Sequence, residues 1–215
     1  MEIFLETMAL TFGALLPIMN PFSTAPLFVS LTTGLSARRR RQQAFMGCVY
    51  AFAILVTFLL LGSAIVKFFG ISVPGIRVAG GLIISTVGFR MLFPPPAPKG
   101  AASGVGSQEL DIAFTPIAMP SLAGPGSISV VLSAAAQIQS NFPDEWRSIY
   151  LAVVVGMALT LIFSFLVLQV ASAMVKFLGR GGIDAMTRVF GFLLICIGMQ
   201  FLLTGISDFF LLQHA

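Results

Sequence analysis

Long apolar runs separated by short polar loops dominate this chain. No Asp, Glu, Lys or Arg occurs in residues 7–37, 42–66, 112–143, 148–175 or 189–207. A sixth apolar segment, 74–93, carries only Arg77 and Arg90. A helix of about 20 apolar residues crosses the hydrocarbon core of a bilayer. The pattern therefore predicts six membrane-spanning helices in an all-α integral membrane protein, with lipid rather than a soluble core as the apolar solvent.

Two of these runs contain the same proline pattern. Pro17-Ile18-x-x-Pro21-x-x-x-x-Pro26 returns as Pro116-Ile117-x-x-Pro120-x-x-x-x-Pro125, and Ser30 matches Ser129 at the same offset. A proline inside a helix removes a backbone hydrogen bond and clashes with the preceding turn. In lipid, freed backbone groups persist only where protein or a water-filled cavity satisfies them. The first and fourth spans, residues 4–33 and 111–139, are therefore expected to be broken helices, with breaks at 17–26 and 116–125. A new half-helix is expected to start after Pro26 or Pro125. Interrupted apolar segments at matching places in two halves point to a transporter's binding site.

The repeat extends further. Lys67-Phe68-Phe69-Gly70 resembles Lys176-Phe177-Leu178-Gly179, and Arg77-Val78-x-Gly80-x-Leu82 resembles Arg188-Val189-x-Gly191-x-Leu193. Residues 94–110, rich in Pro, Gly, Ser and Ala, form a polar linker between the halves 1–93 and 111–215. Three spans are an odd number, so a second copy must enter the membrane from the opposite side. The expected architecture is two inverted three-helix repeats related by an axis in the membrane plane.

Charge then orients the chain. Only 9% of residues are charged and 57% are hydrophobic, which excludes an ordinary soluble domain. Of the 12 basic residues, Arg38 to Arg41, Arg90, Lys99, Lys176, Arg180 and Arg188 fall in the odd-numbered loops. Lys67, Arg77 and Arg147 lie on the other side. The positive-inside rule makes the odd loops cytoplasmic and both termini periplasmic in a bacterial inner membrane. Glu2 and Glu6 stand where a secretory signal would be basic, so the first span is read as retained. The net charge of +4 is used by topology and lipid contact, and nucleic acid is not an expected partner. Cys48 and Cys196 form no CxxC motif, and with one histidine, His214, no metal or cofactor site is expected.

Chemistry concentrates at the breaks. Asn20, Ser23 and Thr24 offer side-chain donors and acceptors in the first. In the second, Ser121, Gly124, Gly126 and Ser127 are small and let backbone approach a ligand. A half-helix N-terminus there would present free N–H groups to a carboxylate. These seven residues form the expected substrate site, facing a small polar or zwitterionic ligand, and sodium held by carbonyls and hydroxyls is compatible with it. Asn20 is the first choice, because its amide is both donor and acceptor. The competing reading is that Ser, Thr and Gly only permit close helix packing. Arg77 and Arg188, repeat mates near opposite faces, are candidate gates, with anchoring of helix ends as the plainer role. Gly80, Gly81, Gly88 and Gly191 suggest close helix contacts.

Asn20-Pro21 through Pro26-Leu27-Phe28, Arg77 to Gly81 and Arg90-Met91-Leu92-Phe93 resemble the MarC family of bacterial inner-membrane proteins. So do Pro116 to Pro120, Ala123-Gly124-Pro125-Gly126 and Arg188 to Leu194. The resemblance covers the chain outside the linker. It implies a LysE-like transporter with a three-plus-three arrangement and an association with neutral amino-acid transport. It carries over no binding residues. The expected function is a secondary transporter, working in the export direction, of small neutral amino acids or related metabolites by alternating access. The alternatives are a membrane subunit with an assembly role and an exporter of hydrophobic drugs. An intramembrane enzyme would need a nucleophile–base pair or facing thiols, and the sequence offers neither.

Overall fold

The computed structural model describes residues 2–94, 113–141 and 145–213. Most of the linker, together with Asp111, lies outside the described residues. All secondary structure among the described residues is helical. The elements are α1 (Glu2–Met19), α2 (Pro21–Leu31), α3 (Ala37–Phe68), α4 (Val73–Leu92), a π-helical segment (Ala113–Leu122), α5 (Pro125–Asn141) and α6 (Trp146–Gln213). α6 has two limbs, Trp146–Gly179 and Gly181–Leu211.

Among the described residues, five helices are long and apolar enough to cross a membrane: α1, α3, α4 and the two limbs of α6. The apolar helices Pro21–Leu31 and Pro125–Ile138 are shorter. The region expected to be a fourth span is thus a π-helical segment followed by the 17-residue α5.

Local chemistry explains the ends. Ser36 caps α3 by accepting from Arg39 N, and Ser72 caps α4 by accepting from Gly75 N. After α3 the chain reverses through Gly70 at φ 63°, with Ile71 N donating to Val66 O at 3.0 Å and Gly70 N to Lys67 O at 3.2 Å. This paired closure satisfies carbonyls that would otherwise end unbonded, and glycine takes the left-handed φ without a Cβ penalty. Gly179, the repeat mate of Gly70, has φ 64°.

Two expectations need correction. The half-helix of the first break starts at Pro21, not after Pro26, which lies inside α2. Proline suits a first-turn position, because its missing N–H would be unbonded there anyway. Between the fifth and sixth apolar segments the expected loop at 176–188 shrinks to one non-helical residue, Gly179 at φ 64° and ψ −178°, where the two helical limbs meet.

Small residues set the packing. α1 lies on the first limb of α6, where a Cβ on Gly156 would sit 2.9 Å from Met8 O. Phe12 and Phe163 meet edge to face there, with centroids 6.2 Å apart. Phe22 of α2 stacks on Phe190 of the second limb at 5.3 Å. α3 meets the π segment at Gly47, against Ile117, and meets α5 at Gly62, against Ala135. α4 and the second limb are packed at Gly81 with Gly198, Gly88 with Gly191, and Pro74 with Gly205. Moving along one helix moves back along the other, so they run antiparallel at near backbone contact, as the glycines suggested. A buried core of Leu15, Met19, Phe28, Leu55, Ile117 and Met157 joins both halves.

Candidate functional site between two helix breaks

The two breaks are built differently. The first is a single residue: Asn20, at φ 37° and ψ 69°, separates α1 from α2. Left-handed backbone is tolerated by Asn because its short amide bonds locally. Asn20 Oδ1 accepts from Ser23 N at 3.2 Å, capping α2, and Asn20 Nδ2 donates to Ser23 Oγ at 2.8 Å. Ser23 Oγ in turn shares a 2.9 Å hydrogen bond with Thr187 Oγ1 of the second limb. Thr24 Oγ1 donates back to Asn20 O at 3.3 Å. Asn20 is buried, and its amide is largely committed to the cap and to Ser23.

The second break is the π-helical segment, which includes Pro116 and Pro120, followed by Ala123 and Gly124. Ala123 N donates to Ala118 O at 2.8 Å, closing a wide turn. π-helical backbone is rare and gathers at functional sites. α5 then starts at Pro125, and Ser127 Oγ donates to Leu122 O at 3.0 Å. Gly124 has no side chain with which to cap α5, so the N–H groups of Gly126 and Ser127 lack the carboxamide cap that α2 has.

Between the breaks lies a cavity of about 260 Å³. Asn20, Ser23, Thr24, Ser121, Gly124, Gly126 and Ser127 all line it, and so does Pro125. Its remaining wall is apolar: Ile18, Met19, Leu27, Ile84, Val87, Met91 and Leu194. None of the described residues lining it is ionisable. Ile84, Ser127, Gly126 and Leu194 are buried and form its floor, whereas Leu27 is exposed and Met91 and Ser121 partly so, which marks the mouth. The space depends on Gly126, where a Cβ would lie 3.1 Å from Ile18 Cγ2 and 3.6 Å from Ile84 Cγ1. Among the patterned prolines whose side chains are described, only Pro125 lines the cavity; Pro17 is buried within α1.

Sequence reasoning missed the α4 and α6 contributions. Ile84, Val87 and Met91 recur at helical spacing and so share one face of α4, a signal that could have grouped them. Met91 Sδ lies 3.7 Å from Asn20 Nδ2. Thr187 has no local marker; only the folded chain brings it to Ser23.

Neither candidate gate lines the cavity. Arg77 donates to the Asp208 carboxylate and to Gln137 Oε1. Arg188 is exposed and makes no ion pair among the described residues. Arg40, from the four-arginine run, donates to Ser172 Oγ at 2.8 Å and so ties α3 to the first limb of α6. Cys48 is buried and Cys196 exposed, and both are free thiols.

A family model described as "MarC family integral membrane protein" matches residues 5–210. The chain belongs to the MarC family. It is 36% identical over 223 residues to the UPF0056 inner membrane protein MarC of Salmonella typhimurium strain LT2, covering 100% of both chains. It is 40% identical over 215 residues to the protein of the same name from Escherichia coli O1:K1, covering 93% of this chain and 94% of that one. No solved structure matches. The MarC-family assignment and the five long apolar helices together make this a multi-pass integral membrane protein.

Proposed function

We propose that this MarC-family protein is a secondary transporter of small neutral amino acids or related metabolites, acting as an exporter in the inner membrane by alternating access. One observation carries the reading. Small polar residues from two proline-marked breaks, about 100 residues apart in sequence, line a single cavity without ionisable side chains. The cavity's chemistry fits a zwitterion with an aliphatic side chain. The carboxylate would meet the uncapped N-terminus of α5 at Gly126 and Ser127, where the helix dipole favours negative charge. The hydroxyls of Ser23, Thr24 and Ser121 offer polar contacts, and Ile84, Val87 and Leu194 offer an apolar surface. Freed carbonyls and hydroxyls at the breaks are also the ligands that a coupling sodium ion would need.

The remaining architecture belongs to the same proposal: six crossings, α1 with α2 and the π segment with α5 each completing one, in two inverted repeats. Its support is that the mates Gly70 and Gly179 share φ values of 63° and 64°, and that α4 runs antiparallel to its mate, the second limb of α6. Both termini are then periplasmic. The lipid bilayer is the only partner this reading requires besides substrate and ion.

Counterflow in proteoliposomes tests the function. Preloaded neutral amino acids should accelerate uptake of a labelled one, and Gly126→Val, which fills the cavity, should abolish this in protein that still inserts. Absence of counterflow for every neutral amino acid, with and without sodium and pH gradients, would overturn the assignment.

A further inference from the structure

The cavity is open at one end of α4 and closed towards the other, and the closed end finishes in a polar network that the site does not use. We propose that Arg77, Asp208 and Gln137 form a latch that holds the cavity shut at this far end, and that its release exposes the cavity to that side of the membrane. The proposal rests on the transport reading, since a latch on a cavity that carries nothing would have no purpose.

Depth can be followed along three helices that run side by side. On α4, Met91 is near the mouth, Ile84 is at the floor, Gly80 lies one turn deeper, and Arg77 is almost another turn beyond. On α5 the same descent passes from Ser127 at the floor through Ser129 to Ser133 and Gln137. On the second limb of α6 it passes from Leu194 through Phe201 and Gly205 to Asp208. Cross-contacts keep the levels aligned. A Cβ on Gly80 would lie 3.1 Å from Ser129 Cβ and 4.0 Å from Phe201, and one on Gly205 would lie 3.0 Å from Arg77 Cβ. Val66, Ile76 and Ala136 form a small buried cluster at the level of the polar end, with Val73 and Leu132 packed against it.

At that end one guanidinium joins all three helices. Arg77 of α4 donates to Asp208 of the second limb and to Gln137 of α5, and Gln137 Nε2 donates to Ser133 Oγ at 2.8 Å. The Arg77 side chain is only 18% exposed. Arg77 is also one of the residues that recur in the repeat. Its mate Arg188, towards the mouth end, is exposed and makes no ion pair among the described residues. One member of the pair is engaged where the bundle is closed, and the other is free where it is open. A charged pair suits a reversible closure. Its attraction is strong while lipid and protein surround it, and it weakens as water enters and raises the local dielectric.

The test reads accessibility rather than transport. Ser129→Cys, in a protein lacking Cys48 and Cys196, places a thiol between floor and latch. An impermeant thiol reagent is applied from the Asp208 face, which is periplasmic on the charge bias. With the latch intact, labelling should be slow. Asp208→Asn and Gln137→Leu should each raise its rate on the order of tenfold, as loss of a hydrogen bond to a charged group would. Arg77→Asp alone should do the same, and adding Asp208→Arg should restore protection, because the exchanged pair can close the same gap. Unchanged labelling in both Asp208→Asn and Gln137→Leu would overturn the latch, and so would an exchange that fails to restore protection. Since labelling needs no substrate, a failed latch with normal counterflow leaves the transport reading standing. A working latch without amino-acid counterflow points to a different cargo.

Discussion

Asn20 shows how one residue can be read correctly for place and incompletely for role. Its position among prolines marks the break, and its amide suits a zwitterion. The folded chain, however, engages that amide with Ser23 N and Ser23 Oγ. Its φ of 37° adds a second demand, since left-handed backbone costs most side chains about 1–2 kcal/mol. Asn20→Leu should therefore lose about 2–3 kcal/mol from strain and a missing cap together. Asn20→Gly, which keeps the backbone conformation and caps almost as well, should lose only a few tenths of a kcal/mol. Thermal unfolding in detergent measures the difference. Equal stability of the two variants would show that Asn20 is not held there by the cap. Asn20→Gly is accordingly the better probe of the cavity, because it removes the amide without straining the chain.

At the scale of elements, glycine decides which helices can touch. A Cβ on Gly198 would lie 2.7 Å from Gly81 O and 2.7 Å from Ser85 N, and both neighbours are backbone. Nothing flexible can move aside there, so Gly198→Ala should cost about 1–3 kcal/mol through overpacking. A Cβ on Gly181 would meet nothing within 4 Å, so Gly181→Ala should be neutral. The fraction of monodisperse protein after a fixed heat step would compare them, and an undisturbed Gly198→Ala would mean that α4 and the second limb of α6 lie further apart than described. The same scale explains the π segment. Two prolines four residues apart, Pro116 and Pro120, each remove a donor from an α-helical ladder. The wider turn seen as Ala123 N reaches Ala118 O is a response to that loss.

For the whole molecule, the charge bias makes a topological claim that needs no site. Nine of the basic residues lie on the side that also carries the linker, so a cysteine at Ser103 should be cytoplasmic. In cells whose outer membrane alone has been permeabilised, an impermeant reagent should leave Ser103→Cys unlabelled and should label it after lysis. Labelling before lysis would reverse the orientation and place both termini in the cytoplasm. It would also reverse the side to which the latch described above opens, without altering the latch itself.

Much of this protein is determined by local chemistry. Charge-free runs of this length favour membrane helices, because backbone in lipid must bond to itself. Pro21 and Pro125 begin helices at the breaks, whereas Pro17 and Pro26 lie inside helices, and glycine supplies the positive φ seen at Gly70 and Gly179. These are properties of residues and their near neighbours, so they were legible along the chain, and the seven residues expected at the breaks, five polar and two glycine, line one cavity. The details of the breaks were decided by competition within the backbone. α2 starts at Pro21 because Asn20 can cap it, and the two limbs of α6 meet at Gly179 because glycine takes a positive φ without a Cβ penalty. Contacts over long separations were not legible at all. Thr187 reaches Ser23, Met91 reaches Asn20, and Arg77 gathers Gln137 and Asp208 only because antiparallel helices bring distant positions to one level. Helical periodicity fixes which face a residue occupies but says nothing of what lies opposite, and only the packed bundle supplies that.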